Sequence, residues 1–146
     1  MYAVSSNATD GVKLFRNDAA LFRAGPSGIA ANGLINAGFS RNLGAGVGVF
    51  DRCSVPWTPD YDEVLYIIDG VLRLRVGNKI YVAGRGDTVW IPEGTAIVYE
   101  SSVRTTFFYA VCPVQNSIST KEPKSFGEGR AFVVDDEEFE CDETIA

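Results

Sequence analysis

The sequence predicts a single all-β domain whose short strands close into a barrel. The chain has 146 residues, the usual length of one domain. Its composition, 46% apolar with 15 glycines, is typical of a β protein with many tight turns. Short β-type runs recur between turn residues, and no run predicts a helix long enough to cover a sheet. Closure of the barrel would then protect the strand edges.

The chain divides into three parts by the strength of its pattern. Residues 1–30 predict an N-terminal strand or arm, with one short strand at residues 12–15 and a helical turn at 18–23. Residues 31–115 predict the barrel core. Residues 116–146 predict a C-terminal extension, whose acidic run at 135–143 is expected to be a solvated tail or, alternatively, a partner-docking tail.

Within the core, turn residues separate a series of predicted strands. Residues 44–50 alternate glycine with small or apolar residues, which favours a closely packed strand. The run lacks the GxxxxGK[ST] spacing of a phosphate-binding loop. Further strands are predicted at residues 64–68, 72–76, 80–82, 88–91, 96–99 and 103–111, with Gly77-Asn78 as a two-residue hairpin.

Charge and cysteine usage exclude several classes of function. The net charge of -6 argues against binding to nucleic acid or to an anionic membrane, because both require clustered basic residues. Cys53, Cys112 and Cys141 are odd in number and form no metal-binding pattern, so reduced thiols are expected. The sequence shows neither a signal peptide nor a span of ~20 apolar residues, and a cytoplasmic location is expected.

Two motifs in the core resemble the paired motifs of cupins. Glu63 is followed by Gly70, and Gly86, Pro92 and Gly94 reproduce the spacing of glycine, five residues, proline, one residue and glycine. The resemblance implies a cupin-type double-stranded β-helix, which is a jelly-roll barrel. It also implies that the glutamate of the first motif faces the barrel interior.

The metal-ligand positions of these motifs hold no histidine. Metal-binding cupins carry two histidines before the glutamate and one after the second motif. Here the first pair falls on Pro56 and Thr58, or on Trp57 and Pro59, and the later position falls on Ile97. The whole chain lacks histidine, and one carboxylate does not supply the three or four ligands of a zinc or iron site. We therefore expect no metal and no other cofactor.

The resemblance extends to one cupin family. Residues 57–63 (Trp-Thr-Pro-Asp-Tyr-Asp-Glu), Gly70, residues 86–94 and residues 101–104 resemble the cupin domain of the ethanolamine-utilisation protein EutQ, over about residues 12–113. Members of that family are associated with bacterial microcompartments that process ethanolamine, and acetate kinase activity has been attributed to longer relatives. This chain shows no recognisable nucleotide-binding loop, so kinase activity is a less favoured interpretation, and a metal-dependent dioxygenase ranks lower still.

A cluster around the glutamate is the candidate catalytic site. Trp57, Tyr61 and Glu63 are separated by even numbers of residues, so they would share a face if they lay on one strand. A carboxylate enclosed by aromatic rings has a raised pKa and can act as general acid or base. Tyr61 could donate to an oxyanion, and Trp57 could form an apolar or cation-binding wall. The alternative is that the carboxylate only pairs with an arginine inside the barrel.

Further residues are candidates for substrate binding. Arg73 and Arg75 could meet the glutamate or bind an anionic substrate, or they could lie on a solvated surface. Tyr99 lies just beyond the empty histidine position, and Asp60, with Asp62, is a possible acidic partner. Other aromatic residues of the later strands are expected in the core.

These observations lead to one leading function and two alternatives. The leading function is metal-independent acid-base chemistry on a small polar molecule, of the lyase, dehydratase, cyclase or isomerase type, with Glu63 as proton carrier. The first alternative is a non-catalytic protein that binds a metabolite or assembles with a partner or microcompartment. The second is acetate-kinase-like activity. A homodimer is expected in each case.

Overall fold

The computed structural model describes residues 10–114, which form two antiparallel sheets. The five-stranded sheet has the order β1-β2-β9-β4-β7, and the four-stranded sheet has the order β3-β8-β5-β6. A short 3₁₀ helix, Ala19–Phe22, precedes the first strand. The strands are β1 (Ile29–Ile35), β2 (Gly44–Phe50), β3 (Cys53–Trp57), β4 (Asp62–Asp69), β5 (Val71–Val76), β6 (Lys79–Gly84), β7 (Thr88–Ile91), β8 (Ile97–Ser101) and β9 (Thr105–Cys112). The all-β prediction is confirmed.

The core lies between the two sheets because side chains alternate along each strand. On β4, Glu63, Leu65 and Ile67 point inward and are fully buried. Leu74 on β5 and Tyr99 on β8 are equally buried on the facing sheet. The inner faces of the two sheets therefore enclose the side chain of the motif glutamate.

Most predicted strands of the centre are found in the structure. β2 and β7 have the predicted bounds. The observed bounds of β4, β5, β6, β8 and β9 differ from the predicted bounds by a few residues. The Gly77-Asn78 hairpin is confirmed by the pairing of Val76 with Lys79. The predicted helical turn is the 3₁₀ helix, whose Leu21 is buried. Cys141 and the acidic run at 135–143 lie outside the described residues.

Three features differ from the prediction. Residues 12–15 form no strand, and only Phe15 makes an isolated bridge. β1 was not predicted, because its Ala30-Ala31-Asn32-Gly33 segment lacks large apolar residues. β3 was not predicted because it contains Pro56, which normally argues against a strand. β3 is an edge strand, and an edge tolerates proline where the missing N–H would face away from the neighbouring strand.

The glycines of β2 make room for aromatic rings of β9. Gly46 is paired with Tyr109 and Gly48 with Phe107. A Cβ atom added at Gly46 would lie 2.8 Å from the hydroxyl oxygen of Tyr109 and would collide with the backbone oxygen of Asn32. One added at Gly48 would lie 2.7 Å from Cζ of Phe107. The glycine-rich run is therefore a closely packed strand, as predicted.

No helix of residues 10–114 is long and apolar enough to cross a membrane.

The packing of β2 predicts an unequal effect of two alanine substitutions. Gly46→Ala is expected to lower the free energy of unfolding by about 1–3 kcal/mol, because the added methyl overpacks the core. Gly84→Ala is the matched control in β6, where the nearest atom to an added Cβ is Asp87 Oδ2 at 3.9 Å. Urea denaturation measures both. Equal stability of the two variants would contradict the close packing at β2.

Candidate active site

Glu63 lies inside the barrel and connects the two sheets. It is opposite Val111 of β9 and Ile91 of β7, and its side chain is fully buried. Tyr99, which is on β8 of the other sheet, donates a hydrogen bond from its hydroxyl to Glu63 Oε1 over 2.6 Å. This distance is typical of a strong hydrogen bond to a carboxyl oxygen. The contact confirms that the glutamate of the first motif faces the interior.

The surroundings of Glu63 favour its protonated form. Burial raises the pKa of its carboxyl to about 8, although the hydrogen bond from Tyr99 acts in the opposite direction. The carboxyl therefore mostly keeps its proton at neutral pH. Its second oxygen, Oε2, is buried and has no hydrogen-bond partner among residues 10–114. Such an atom is an exception among buried polar groups, and it is the oxygen through which this carboxyl can meet another molecule.

Tyr61 and Trp57 form a second hydrogen-bonded pair beside the carboxyl. Tyr61 is fully buried, and the Trp57 indole donates from Nε1 to the Tyr61 hydroxyl oxygen over 3.1 Å. Burial raises the pKa of Tyr61 well above its ordinary range, and the nearby charge of Glu63 raises it further. The phenol thus stays protonated. Its oxygen accepts from Trp57, so its own proton is available to another acceptor.

The three residues share the interior although they do not share a strand. Trp57 ends β3, Tyr61 lies in the following connection, and Glu63 is in β4. The single-strand premise for this cluster was therefore wrong. Trp57 is partly buried and packs against the core cluster that includes Tyr61. Tertiary folding, and not the period of one strand, brings them together.

Arg73 and Arg75 lie on the outer face of the four-stranded sheet. They alternate with the buried Leu72 and Leu74, and the carboxylate that they meet is Glu100. Arg73 Nε lies 3.4 Å from Glu100 Oε2, and Arg75 Nη2 lies 2.9 Å from Glu100 Oε1. The expectation that one of them could meet Glu63 was wrong, because the alternation of β5 turns both outward.

Neither aspartate of the first motif is buried with the Glu63 carboxyl, although Asp60 is a lesser cause, after burial, of the raised pKa of Tyr61. Asp60 is exposed, whereas Asp62 accepts a hydrogen bond from the Glu93 backbone N–H over 2.9 Å. The Gly94 N–H also donates to Pro59 O over 2.8 Å. These two bonds attach the turn of the second motif to the first motif. Asp62 thus fixes the backbone at the start of β4.

Sequence reasoning placed Tyr109 only in the core, whereas its hydroxyl is also electrostatically linked to the site. Tyr109 is a small cause, after burial and Glu63, of the raised pKa of Tyr61. Tyr109 is opposite Leu65 on the neighbouring strand and points inward. The sequence feature that could have indicated Tyr109 was its place in the inward-facing alternation of β9, but many core aromatic residues have such a place.

The residues of the site do not fit the metal that many cupins hold. The histidine positions hold Pro56 and Thr58, or Trp57 and Pro59, and then Ile97, and none of these side chains is a usual ligand of zinc or iron. In the described part of the chain, no three His, Cys, Asp or Glu side chains are grouped so that they could hold an ion. Glu63 is the carboxyl at this place, and it favours its neutral form. A donor set of this kind lacks the ligands of a zinc or iron site.

The two-sheet architecture with an inward motif glutamate defines a cupin. An RmlC-like cupin from Shewanella frigidimarina has a similar fold, with a TM-score of 0.54 and 20% identity over 62% of this chain and 80% of that chain. The sequence also matches the family described as ethanolamine utilisation protein EutQ over residues 8–118. The chain therefore belongs to the EutQ family.

Similar proteins include both a solved structure and a curated relative. An ethanolamine utilization protein Q of Salmonella typhimurium LT2 has a TM-score of 0.68 and 23% identity, covering 79% of this chain and 96% of that chain. The acetate kinase EutQ of Salmonella typhimurium LT2 is 28% identical over 90 residues, which are 62% of this chain and 39% of the relative. The chain thus aligns with less than half the length of that relative.

The raised pKa of Glu63 predicts how stability depends on pH. The folded protein keeps a proton on this carboxyl that the unfolded chain releases above a pKa of 4.5. The contribution of Glu63 to stability is therefore greatest below about pH 4.5. It falls as the pH rises from about 4.5 to about 8, and it levels off above about pH 8. Glu63→Gln is expected to remove this decline, so the melting temperature of the variant should rise relative to wild type between pH 5 and pH 8.

Thermal melts across this pH range measure the difference between the two proteins. Glu93→Gln, at an exposed position, is the charge-matched control and is expected to keep the wild-type trend. A constant difference between wild type and Glu63→Gln at every pH would contradict the raised pKa.

Proposed function

We propose that this EutQ-family cupin performs acid-base chemistry on a small polar molecule, with Glu63 as the proton carrier. The observation that carries the proposal is the buried carboxyl with a pKa of about 8 and a second oxygen without a protein partner among residues 10–114. A pKa near the operating pH is what general acid-base catalysis requires. The reaction class is a lyase, dehydratase, cyclase or isomerase step that needs no metal.

The hydrogen bonds support separate proposed roles for the two oxygens of Glu63. Tyr99 holds Oε1, so the proton is transferred at Oε2. The neutral carboxyl gives its proton to a leaving hydroxyl or a carbonyl oxygen of the substrate. The carboxylate that forms keeps the hydrogen bond from Tyr99, which stabilises its charge, and it can then take a proton from the substrate.

Tyr61 and Trp57 support this transfer. Tyr61 remains protonated and can donate to an oxygen that becomes negative, because its own oxygen already accepts from Trp57.

Glu63, Tyr61 and Tyr99 have no exposed surface, so a substrate reaches them only when a neighbouring side chain moves. Trp57 is the partly buried member of this group and is the proposed gate. In this proposal Tyr99 and Trp57 line the substrate site, Asp60 acts only at a distance through Tyr61, and Arg73 and Arg75, which pair with Glu100, take no part.

The proton-carrier role predicts the kinetics of one isosteric variant. Once a ligand screen by thermal shift has named a substrate, Glu63→Gln is expected to lower kcat by about 10²–10⁴-fold, because the amide cannot transfer the proton. Wild-type activity is expected to fall above about pH 8, as the acid form is lost. Steady-state kinetics across pH measure both effects, with Glu93→Gln as the control. Turnover by Glu63→Gln at the wild-type rate would refute the proposal.

A binding or assembly role is the second candidate, and it rests on an exposed apolar surface. The outer face of the five-stranded sheet presents the large apolar side chains of Tyr66, Ile68, Trp90 and Phe108, and 60% of the surface of Trp90 is exposed. Tyr66 is directly opposite Phe108 on the neighbouring strand. Soluble monomers seldom expose large contiguous apolar patches. The proposed occupant is a second copy of the chain. The chain is acidic, and two copies can meet without charge repulsion only through an uncharged face, such as this face of β4 between Asp62 and Asp69.

The proposed homodimer predicts different effects of two charged substitutions. Trp90→Glu is expected to convert a dimer into a monomer, because it places a carboxylate in the apolar face beside Tyr66 and Phe108. Tyr81→Glu, on the edge strand β6, is the matched control, since Tyr81 is 52% exposed and lies on the other sheet. Light scattering coupled to gel filtration measures the mass. A monomeric wild type refutes the dimer, and a dimeric Trp90→Glu variant refutes this face as its interface.

The acetate kinase name of a relative gives a third candidate. That relative is more than twice as long as the aligned region, so its activity is transferred here only as a proposal. Formation of acetyl phosphate that depends on ATP, and that persists through rigorous purification of this chain, would favour it over acid-base chemistry alone.

A further inference from the structure

An open cleft of about 310 Å³ lies at the rim of the four-stranded sheet, where β3 and β5 end and β8 begins. Pro56 and Arg75 both pair with Val98, and Trp57 pairs with Ile97, so the cleft is built across three strands. Its volume is at the lower end of the range for small-molecule sites and equals roughly ten water molecules. The cleft therefore suits a small molecule and not a folded partner.

The lining of the cleft combines apolar walls with one positive charge. Pro56, Ile97, Val98 and the Trp57 indole supply the apolar part. Arg75 supplies a guanidinium and is half exposed, at 50%. Its Nη2 donates to Glu100 over 2.9 Å, which fixes the side chain in position. A guanidinium has five N–H donors, so the one carboxylate that Arg75 meets among residues 10–114 leaves capacity for a second anion.

The local charge also favours an anion. Glu100 is shared by two arginines, because Arg73 Nε lies 3.4 Å from its second oxygen. These three side chains carry a net charge of one positive unit on the surface of a chain with a net charge of -6. Thr58 adds a hydroxyl at the same rim.

We infer that this cleft binds a small organic monoanion, with a carboxylate on Arg75 and an apolar body of a few carbons against Trp57 and Val98. The site is on the outer rim of the sheet and is distinct from the buried carboxyl of the barrel. It extends beyond the proposed acid-base function, because binding in the cleft does not require Glu63 to transfer a proton. Trp57 is the shared wall, since its ring lines the cleft and its Nε1 donates to Tyr61 inside the barrel.

The two tryptophans of the chain allow a direct binding measurement. Trp57 lines the cleft, whereas Trp90 is exposed on the five-stranded sheet. In a Trp90→Phe background, the fluorescence of Trp57 is recorded during titration with sodium butyrate at constant ionic strength. A saturable change is expected. Neutral 1-butanol, with the same carbon chain, and inorganic phosphate are titrated in the same way, and both are expected to bind at least ten-fold more weakly.

Matched arginine variants assign the anion to the cleft. Arg75→Gln is expected to weaken butyrate binding at least ten-fold, and Arg75→Lys, which keeps the charge, is expected to weaken it less. Arg73→Gln is the control, because Arg73 shares Glu100 but does not line the cleft, and its affinity should stay within about two-fold of the parent. Melting temperatures establish that each variant is folded.

Each remaining outcome has a defined consequence. Absence of a saturable response to butyrate, equal losses in Arg73→Gln and Arg75→Gln, or equal binding of 1-butanol would overturn the inference. Tighter binding of phosphate than of butyrate would overturn the carboxylate assignment. Glu63→Gln is expected to keep butyrate binding, so loss of turnover with retained binding supports both proposals. If Glu63→Gln still turns over the substrate named by the ligand screen while Arg75→Gln loses butyrate binding, the acid-base proposal is refuted and the cleft proposal stands.

Discussion

The hydrogen bond between Tyr99 and Glu63 is the interaction on which the rest of the site depends. It joins β8 to β4 across the barrel, between residues that are 36 positions apart in the chain. A buried carboxylate without a counter-ion is costly, and the structure reduces this cost by holding the group in its neutral form. Burial raises the pKa of this carboxyl, and the hydrogen bond from Tyr99 opposes that shift only in part.

The aromatic surroundings of Glu63 have two opposite effects on the proposed acid-base chemistry. Phe50 stacks against Tyr99 and Phe107, and Tyr61 and Trp57 close another side, so water is excluded from the carboxyl. Exclusion of water strengthens any electrostatic interaction with a bound substrate. The same packing leaves no exposed surface at the site, and chemistry there depends on movement of a wall. Trp57 is the residue at which the interior and the outer cleft meet, because its ring lines the cleft and its Nε1 donates to Tyr61.

The outer faces of the two sheets differ in chemistry. The four-stranded sheet presents Arg73, Arg75 and Glu100 beside a small cleft, which suits an ionic ligand. The five-stranded sheet presents an apolar row that contains Trp90 and Phe108, which suits another protein surface. The proposed ligand site and the proposed dimer face therefore lie on different sheets, so occupation of one leaves the other accessible.

The sequence by itself determined β2 and the strands from β4 to β9, and the resemblance to the cupin motifs indicated the inward position of Glu63. Alternating residues, turn glycines and motif spacing are local, so each of these strands could be predicted from its own residues. β1 and β3 lack such local patterns and form because neighbouring strands provide their hydrogen-bond partners. Only the tertiary structure decided that Arg73 and Arg75 point outward, since a two-residue period defines two faces without saying which is buried. It also decided that Tyr99 meets Glu63, because that contact depends on how two sheets pack and not on the residues of either strand alone.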